Sequence, residues 1–401
     1  MTTRWAVMTR PTGHIDDGSP HVVYSIPARL GGSGIGWTAY QAVSGIQQAG
    51  LLGQVLANSS MENLLPSRLI RHWGSFGHAL KYLSAHESSG LLDHMINLAF
   101  DAWVAQILPH GDIFHGWNGA CLRSLRQAKR RGMITIVERA SSHPTTQRHL
   151  LEEEYQRWGI RRKLPAWNYE YTLCELEEAD YITIPSSFVR TSMLAAGISA
   201  DRLIEIPFGV DLDRFRPALQ RPANRFRVAF AGQVSIRKGV PYLLEAWQRL
   251  GWTDAELWLI GRITADFAAI HQRWARLDNV RFLGHSTNLA SLLQQVDVFV
   301  FPTIEEGSAL VTYEALASGL PVITTPNAGS IVRDGVDGLM IPIRDTVAIC
   351  EGLQLIRNDP DLRQRISESA RARAAQYPWA CYQSSLIESY RRLMRRSRPE
   401  G

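Results

Sequence analysis

The chain has 401 residues, 45% of them hydrophobic and 20% charged, which is typical of a globular protein large enough for two domains. Its net charge of +5 comes almost entirely from arginine. The clusters of basic residues contain no interleaved aromatic residues that could stack on nucleobases, so nucleic acid is not an expected partner. No apolar run approaches the ~18 residues that span a bilayer, and the four widely spaced cysteines form no zinc or disulfide pattern, which predicts a location in the reducing cytoplasm.

The first half of the chain alternates between short apolar runs and helical patterns. Strands are predicted at 21–26, 53–57, 112–115, 133–138, 180–184 and 203–206, with a weaker one near 5–8. Helices are predicted at 38–49, 91–108, 121–131 and 187–196, whereas residues 58–90 show no clear pattern. This alternation is typical of βαβ units in a parallel sheet.

The second half alternates more clearly. Strands are predicted at 227–232, 256–261, 280–284, 296–302 and 320–325, with a helix at 240–250. They are continuous apolar runs, as expected when helices cover both faces of a sheet. We predict two doubly wound α/β domains with a hinge at 207–217, followed by an amphipathic helix at 384–396.

Three clusters of basic residues lie at 129–131, 161–163 and 391–398. Such clusters usually face solvent, although together they also favour an anionic membrane surface or an acidic acceptor. Peripheral contact with the inner face of a membrane is therefore an option beside a purely cytoplasmic location.

The first candidate site is the loop from Gly232 to Gly239, which follows a predicted strand and precedes a helix. Open α/β sheets bind ligands at this end of their strands. Arg237 and Lys238 in this loop offer donors to phosphate. The alternative is a solvated turn, but the position in the sheet favours a binding function.

The second candidate site is the pair Glu306 and Glu314. If a helix begins near Ala309 or Leu310, the amides of Ala309, Leu310 and Val311 lack intrahelical partners and face a bound anion. Glu314 would then lie one turn into the helix, where it can accept hydrogen bonds from two vicinal hydroxyls. The alternatives are a solvated position for Glu314 and an ordinary acid near a helix N-terminus for Glu306.

Gly307 follows the first acid and would let the backbone approach a ligand closely. A diphosphate, a ribose and a sugar together meet the demands of these residues. The pattern requires no metal ion and no cofactor.

Weaker candidates lie in the first half. The glycine-rich turn with Gly32 and Gly34 can admit a phosphate or sugar, but a simple strand-to-helix turn explains it equally well. His115 ends a predicted strand, where a histidine faces the cleft or serves the structure.

Several segments together resemble the retaining nucleotide-sugar glycosyltransferases of the GT-B fold in family 4, also called glycosyltransferase group 1. They are Ala179 and Asp180 with Ser186, then 206–215, 232–239, 280–284, 297–302, 306–322 and 334–338. The resemblance implies two Rossmann-like domains facing a central cleft: an acceptor domain at 1–212 and a donor domain at 213–383. It also implies that a terminal helix at about 384–401 packs back on the acceptor domain.

The resemblance further implies roles for the candidate residues. Glu314 would hold the ribose, Arg237 and Lys238 would neutralise the diphosphate, and Glu306 would contact the donor sugar. With His115, these last three form the predicted catalytic set. The other implied donor contacts are Gly307, Ser308, Ala309, Leu310, Val311, Gly232, Gln233, Leu283, Gly284, Gly32 and Gly34.

Two positions depart from the family pattern. Gln233 stands where the family usually has arginine, and Glu138 stands where it often has the histidine that contacts the sugar. That histidine is then either absent or replaced by His115 or His143.

The implied activity is retaining transfer of a sugar, most simply a hexose, from a nucleoside-diphosphate sugar to a hydroxyl of a glycan, lipid or small-molecule acceptor. The alternatives are a GT-B sugar-nucleotide epimerase and a non-catalytic sugar-nucleotide binding protein.

Overall fold

The computed structural model describes residues 21–74, 91–161, 166–218, 225–274 and 277–397. The weak strand predicted near 5–8 and the end of the predicted terminal helix, at 398–401, lie outside these ranges.

The first domain is a parallel sheet with helices on both faces. Its strands are β1 (Val22–Leu30), β2 (Leu52–Ser60), β3 (Ile70–His72), β4 (Ile113–Trp117), β5 (Ile134–Glu138), β6 (Tyr181–Ile184) and β7 (Leu203–Glu205). Its helices are α1 (Ile35–Gln48), α2 (Leu91–Ile107), α3 (Leu122–Arg130), α4 (Pro144–Arg157), α5 (Ala166–Glu178) and α6 (Ser187–Ala195). The strand order β3-β2-β1-β4-β5-β6-β7 reverses between β1 and β4.

The second domain repeats this plan. Its strands are β8 (Phe226–Ala231), β9 (Ala255–Ile260), β10 (Val280–Gly284), β11 (Val298–Phe301), β12 (Val322–Thr324) and β13 (Gly338–Met340). Its helices are α7 (Val240–Leu250), α8 (Ala265–Ala268), α9 (Leu289–Leu293), α10 (Leu310–Ala317), α11 (Thr346–Asn358) and α12 (Pro360–Ala374). The order β10-β9-β8-β11-β12-β13 reverses between β8 and β11, which is where such sheets bind ligands.

Both doubly wound parallel sheets were predicted from the sequence, and the structure confirms them. The apolar runs form the strands because helices bury both faces of each sheet; all four residues of β11 are buried, for example. Two strands of three residues, β3 and β13, were not predicted from the sequence. The helices α4, α5, α11 and α12 were not predicted either.

The loop from β8 to α7 is shaped by Gly239. Its φ of 69° suits glycine, and a Cβ there would lie 1.9 Å from the carbonyl oxygen of Pro302. The tight fit holds the loop carrying Arg237 and Lys238 against the end of β11.

The chain passes between the domains twice, and the two crossings lie side by side. Val210 donates its N–H to the carbonyl oxygen of Tyr377 at 2.9 Å. The second crossing leads into α13 (Trp379–Ser397), which starts earlier than the predicted helix because Trp379 and Tyr382 are also buried. This helix packs on α1 of the first domain, where Gln383 donates to Gln41 at 3.1 Å.

Candidate functional site

The loops that follow β5 and β11 touch each other between the domains. Gly307 lies so close to the first domain that a Cβ on it would be 2.0 Å from the carbonyl oxygen of Ala140. Its own carbonyl oxygen accepts a 2.6 Å hydrogen bond from Ser186 Oγ. Glycine was expected here to admit a ligand, and the structure shows that the backbone of the first domain also approaches it closely. The two domains are closed on each other at this point.

Lys238, Arg237 and Glu306 come together beside this contact. Lys238 is 5% exposed and its Nζ forms an ion pair with Glu306 Oε2. A guanidinium nitrogen of Arg237 lies 3.9 Å from the same oxygen. Burial, followed by the charge of Arg237, holds the pKa of Lys238 well below its usual value, while Glu305 acts in the opposite direction.

Glu305 is a site residue that the sequence analysis missed. It is fully buried, and Oε1 accepts hydrogen bonds from the amide and hydroxyl of Ser142 at 3.1 and 2.8 Å. Oε2 accepts from Gln147 at 3.1 Å and from Arg237 at 3.3 Å. Burial would raise the pKa of Glu305, but Arg237 and these hydrogen bonds hold it below its usual range. The sequence signal that could have identified Glu305 is its position directly after the buried run at 298–304.

Helix α10 begins at Leu310, within the range predicted for its start. The amides of Leu310 and Val311 donate to no acceptor within the described ranges, so they can receive an anion. The expectation for Ala309 is corrected, because its N–H donates to the carbonyl oxygen of Ala328 at 2.9 Å. Two amides, rather than three, are available at this helix start.

Glu314 lies in the first turns of α10 and is partly buried. Burial raises the pKa of its carboxyl to about 7, with Arg214 acting in the opposite direction. A carboxyl held in this way gains from hydroxyl donors supplied by a ligand.

The Ser308 side chain is occupied within the second domain. Its hydroxyl bonds to the carbonyl oxygen of Gly329 at 2.9 Å and to the Tyr313 hydroxyl at 3.0 Å. Its backbone alone is left for the predicted contact with a sugar.

The other predicted donor contacts lie in three separate parts of the fold. Gly232 and Gln233 follow β8, and Leu283 and Gly284 end the edge strand β10, where Leu283 is 41% exposed. The turn with Gly32 and Gly34 joins β1 to α1; a Cβ on Gly34 would meet nothing within 4 Å.

The structure places His115, which was predicted to be catalytic, inside the first domain. His115 is completely buried within β4. Its Nδ1 lies 2.6 Å from the hydroxyl of Tyr390 in α13, and its Nε2 lies 3.3 Å from Thr183 and 3.4 Å from Glu138. His115 therefore ties the terminal helix to the first domain.

The other two first-domain candidates, Glu138 and His143, are also buried. Glu138 is buried and accepts hydrogen bonds from Tyr24 at 2.9 Å and Tyr382 at 3.4 Å. His143 caps α4, and burial, together with the charge of Arg139, lowers its pKa to about 4. The imidazole of His143 is thus neutral and structural.

A cavity of about 460 Å³ lies between α4 and α5 on one side and the loops after β8 and β9 on the other. Arg139, Gln147 and Arg148 line it from the first domain, and Arg237 and Asp266 line it from the second. Arg148 and Asp266 were not predicted as site residues, because neither α4 nor the segment after β9 contains a recognisable motif. The cavity reaches the Arg237 cluster and is polar enough to receive a hydroxylated ligand.

Helix α4 also binds the second domain directly. The carboxylate of Glu154, fully buried, accepts a 2.8 Å hydrogen bond from Tyr242 and forms an ion pair with Arg344. Glu153 bonds the same guanidinium at 2.8 Å. The indoles of Trp158 and Trp274 pack 6.0 Å apart across the boundary. These contacts hold the cleft closed.

Replacing Arg344 by alanine should destabilise the protein by ~3–5 kcal/mol, because it leaves Glu154 buried without its cation. Urea unfolding followed by tryptophan fluorescence measures this loss. Arg344 has a φ of 66°, so Arg344→Gly should be less damaging than Arg344→Ala. The control is Arg148→Ala, which removes a half-exposed pair with Glu152 and should cost under ~1 kcal/mol. Equal losses for the two arginines would contradict this account.

Within the described ranges, no cluster of His, Cys, Asp and Glu side chains is arranged to hold a metal ion. Among the same residues, no helix combines the length and the apolar character needed to cross a membrane.

Residues 225–359 match a family model described as Glycosyl transferases group 1. The chain is 30% identical over 214 residues to the phosphatidyl-myo-inositol mannosyltransferase of Mycobacterium leprae, covering 50% of this chain and 56% of that protein. It is 28% identical over 224 residues to the D-inositol 3-phosphate glycosyltransferase of Xylanimonas cellulosilytica, covering 50% of this chain and 54% of that protein. The chain thus spans about half the length of these curated relatives.

The crystal structure of HepE from Anabaena in complex with UDP and glucose has the same fold. Its TM-score is 0.66 at 16% identity, covering 92% of this chain and 99% of that chain. The fold is therefore GT-B, with two Rossmann-like domains. The family model and the named relatives support an enzyme, a glycosyltransferase of group 1, over the epimerase and the non-catalytic binding protein.

Proposed function

We propose that the protein is a family 4 glycosyltransferase that moves a sugar from a nucleoside diphosphate to an acceptor hydroxyl with retention of configuration. The observation that carries this proposal is the cluster of Lys238, Arg237 and Glu306 close in the chain to the two unpaired amides that open α10. A buried lysine and a partly exposed arginine, together with a helix N-terminus, suit a diphosphate.

The ion pairs suggest what donor binding does. Without a ligand, Lys238 is neutralised by Glu306 and Arg237 by Glu305. A diphosphate would compete for Lys238 and release the Glu306 carboxylate to accept hydrogen bonds from the donor sugar. Glu314 would hold the ribose, and the base would lie near Leu283 and Gly284.

The proposed chemistry is attack on the same face from which the diphosphate leaves. The acceptor oxygen forms the new bond to the anomeric carbon as the bond to the diphosphate oxygen breaks, and the acceptor proton passes to that departing oxygen. Glu138 is too deeply buried to act as a first-domain nucleophile. Catalysis would then consist of positioning and stabilisation of the leaving charge by Lys238 and Arg237.

The acceptor is proposed to enter the 460 Å³ cavity between the domains. Arg148 and Asp266 there suit an acceptor that carries hydroxyls and an anionic group, although a glycan, a lipid and a small molecule all remain candidates. The names of the two relatives include D-inositol 3-phosphate and phosphatidyl-myo-inositol. We place the reaction in the cytoplasm, with the inner face of the membrane as the site for a lipid acceptor.

The experiment that tests the proposal is a thermal-shift screen with UDP, GDP and ADP and their common sugars. A ligand at ~100 times its Kd should stabilise the protein by ~2.7 kcal/mol. UDP is the first choice because the structural neighbour binds it. Transfer from the stabilising donor, with the anomeric configuration read by NMR and with EDTA present, then tests retention and metal independence. No shift with any nucleotide would overturn the proposal.

UDP binding should weaken as the pH falls through 7. Glu314 has its pKa raised to about 7 in the free protein, so it is protonated below that pH and can then accept fewer hydroxyl donors. Binding favours the ionised form and releases a proton, so affinity should fall about tenfold between pH 8 and pH 6. Calorimetry at both pH values measures this change.

The control is Glu314→Gln, because the phosphate groups of the nucleotide also titrate near pH 6. This variant should bind UDP more weakly at pH 8 and show only the dependence that belongs to the nucleotide. If wild type and variant change in parallel between the two pH values, the ribose role of Glu314 is wrong.

A further inference from the structure

Glu305 is the point where the two domains and the proposed phosphate-binding loop meet. Its carboxylate is fully buried and receives hydrogen bonds from four donors. Three of them belong to Ser142 and Gln147 of the first domain, and the fourth is the guanidinium of Arg237.

The first-domain donors are themselves fixed. Gln147 donates to Glu305 through Nε2, while its Oε1 accepts a 2.9 Å hydrogen bond from Arg139. Arg139 also donates to the carbonyl oxygen of Ser142 at 2.7 Å and to Asn118 at 2.7 Å. The loop after β5 therefore presents its donors in a rigid arrangement to Glu305.

Opening of the cleft would remove three of the four donors at once. A buried carboxylate that loses its hydrogen bonds is costly, so Glu305 would then bind Arg237 more tightly or become hydrated. In the closed form, Arg237 shares the Glu305 carboxylate with Ser142 and Gln147: its guanidinium lies 3.3 Å from Glu305 and 3.9 Å from Glu306. An open cleft would leave Glu305 to Arg237 and water, and would draw the guanidinium away from Glu306.

We propose that Glu305 is a positioning residue that couples closure of the domains to the placement of Arg237 on the donor diphosphate. The hydrogen bonds from Ser142 and Gln147 to Glu305 form when the domains close, and Arg237 is the side chain that Glu305 positions. This inference rests on the proposed function, since it assigns Arg237 to the diphosphate.

The test compares Glu305→Gln and Ser142→Ala with wild type in donor binding and in turnover. Donor binding to the open form uses the second domain, so the Kd for UDP should change less than about threefold, as is usual for groups outside the contact. Turnover needs the closed form, so kcat should fall at least about tenfold, because hydrogen bonds to a charged group are worth that much or more. The double variant should lose no more than the worse single variant, since both remove the same link.

The matched control is Glu153→Gln. It makes the same chemical change at another ion pair between the domains, one that does not touch Arg237. Its kcat should stay within about twofold of wild type, because Glu153 is 41% exposed and Arg344 keeps its ion pair with the buried Glu154. Thermal unfolding of each variant shows whether the fold is intact.

Small-angle X-ray scattering supplies a readout that does not need activity. Without nucleotide, Glu305→Gln and Ser142→Ala should have a larger radius of gyration than wild type and Glu153→Gln. Unchanged kcat in both variants, or a loss of UDP affinity equal to the loss of kcat, overturns the coupling role. If wild type itself binds no nucleotide, the proposed function fails, and the scattering comparison still decides whether Glu305 holds the domains closed.

Discussion

Replacement of Lys238 by alanine should lower kcat/KM by at least ~tenfold, because a charged contact to a leaving group is worth over ~1.4 kcal/mol. The ammonium of Lys238 is buried, with the ring of Phe301 5.5 Å away and Glu306 in contact. Its loss removes a donor to the diphosphate and leaves Glu306 with Arg237 alone. Steady-state kinetics with the donor found by thermal shift measures the effect.

The control for this variant is Lys129→Ala. Lys129 is 39% exposed and pairs with Asp180 at 3.0 Å. This substitution should leave the kinetics unchanged, since exposed pairs are worth under ~1 kcal/mol. If Lys238→Ala retains wild-type transfer kinetics while staying folded, Lys238 is not part of the catalytic set.

Replacement of Tyr390 by alanine should cost ~3–5 kcal/mol of stability, because it empties a fully buried ring site. Tyr390 lies in α13, and its hydroxyl faces His115 at 2.6 Å in the first domain. Its removal leaves a cavity and an imidazole without its partner. Thermal and urea unfolding measure the loss.

The Tyr390→Phe variant separates the effect of losing the ring from the effect of losing the hydroxyl. It keeps the ring and removes only the hydroxyl, so it should cost ~1–3 kcal/mol for the unsatisfied histidine. Catalysis per folded molecule should be retained in both variants, since His115 is structural. A fall in kcat at unchanged stability would restore His115 as a functional residue.

The parts of the site that the sequence predicted are local ones. The spacing from Glu306 to Glu314, with the helix start at Leu310 between them, depends on contacts within a few residues. The same holds for the loop with Arg237 and Lys238, which is fixed by the strand before it and the helix after it. Such short patterns can be recognised in a single sequence, because the period of the apolar residues and the order of strand, loop and helix determine them.

The parts that were missed depend on distant partners. His115 pairs with a tyrosine 275 positions away, and Glu305 pairs with a serine 163 positions away. A histidine at a strand end gives the same sequence signal whether α13 covers it or a ligand does. Helix α4, which closes the cleft, gave no clear signal because its polar residues are satisfied by the second domain.

The first domain receives part of its interior from the last helix of the chain. Tyr382 and Tyr390 of α13 complete the hydrogen-bonded group around Glu138 and His115. During synthesis, the residues of the first domain leave the ribosome before these two tyrosines do. The first domain therefore cannot reach its final packing until α13 has been synthesised, even though domains usually fold in the order of their synthesis. A messenger RNA that stops short of α13 would yield a first domain with exposed apolar surface, which chaperones and proteases recognise.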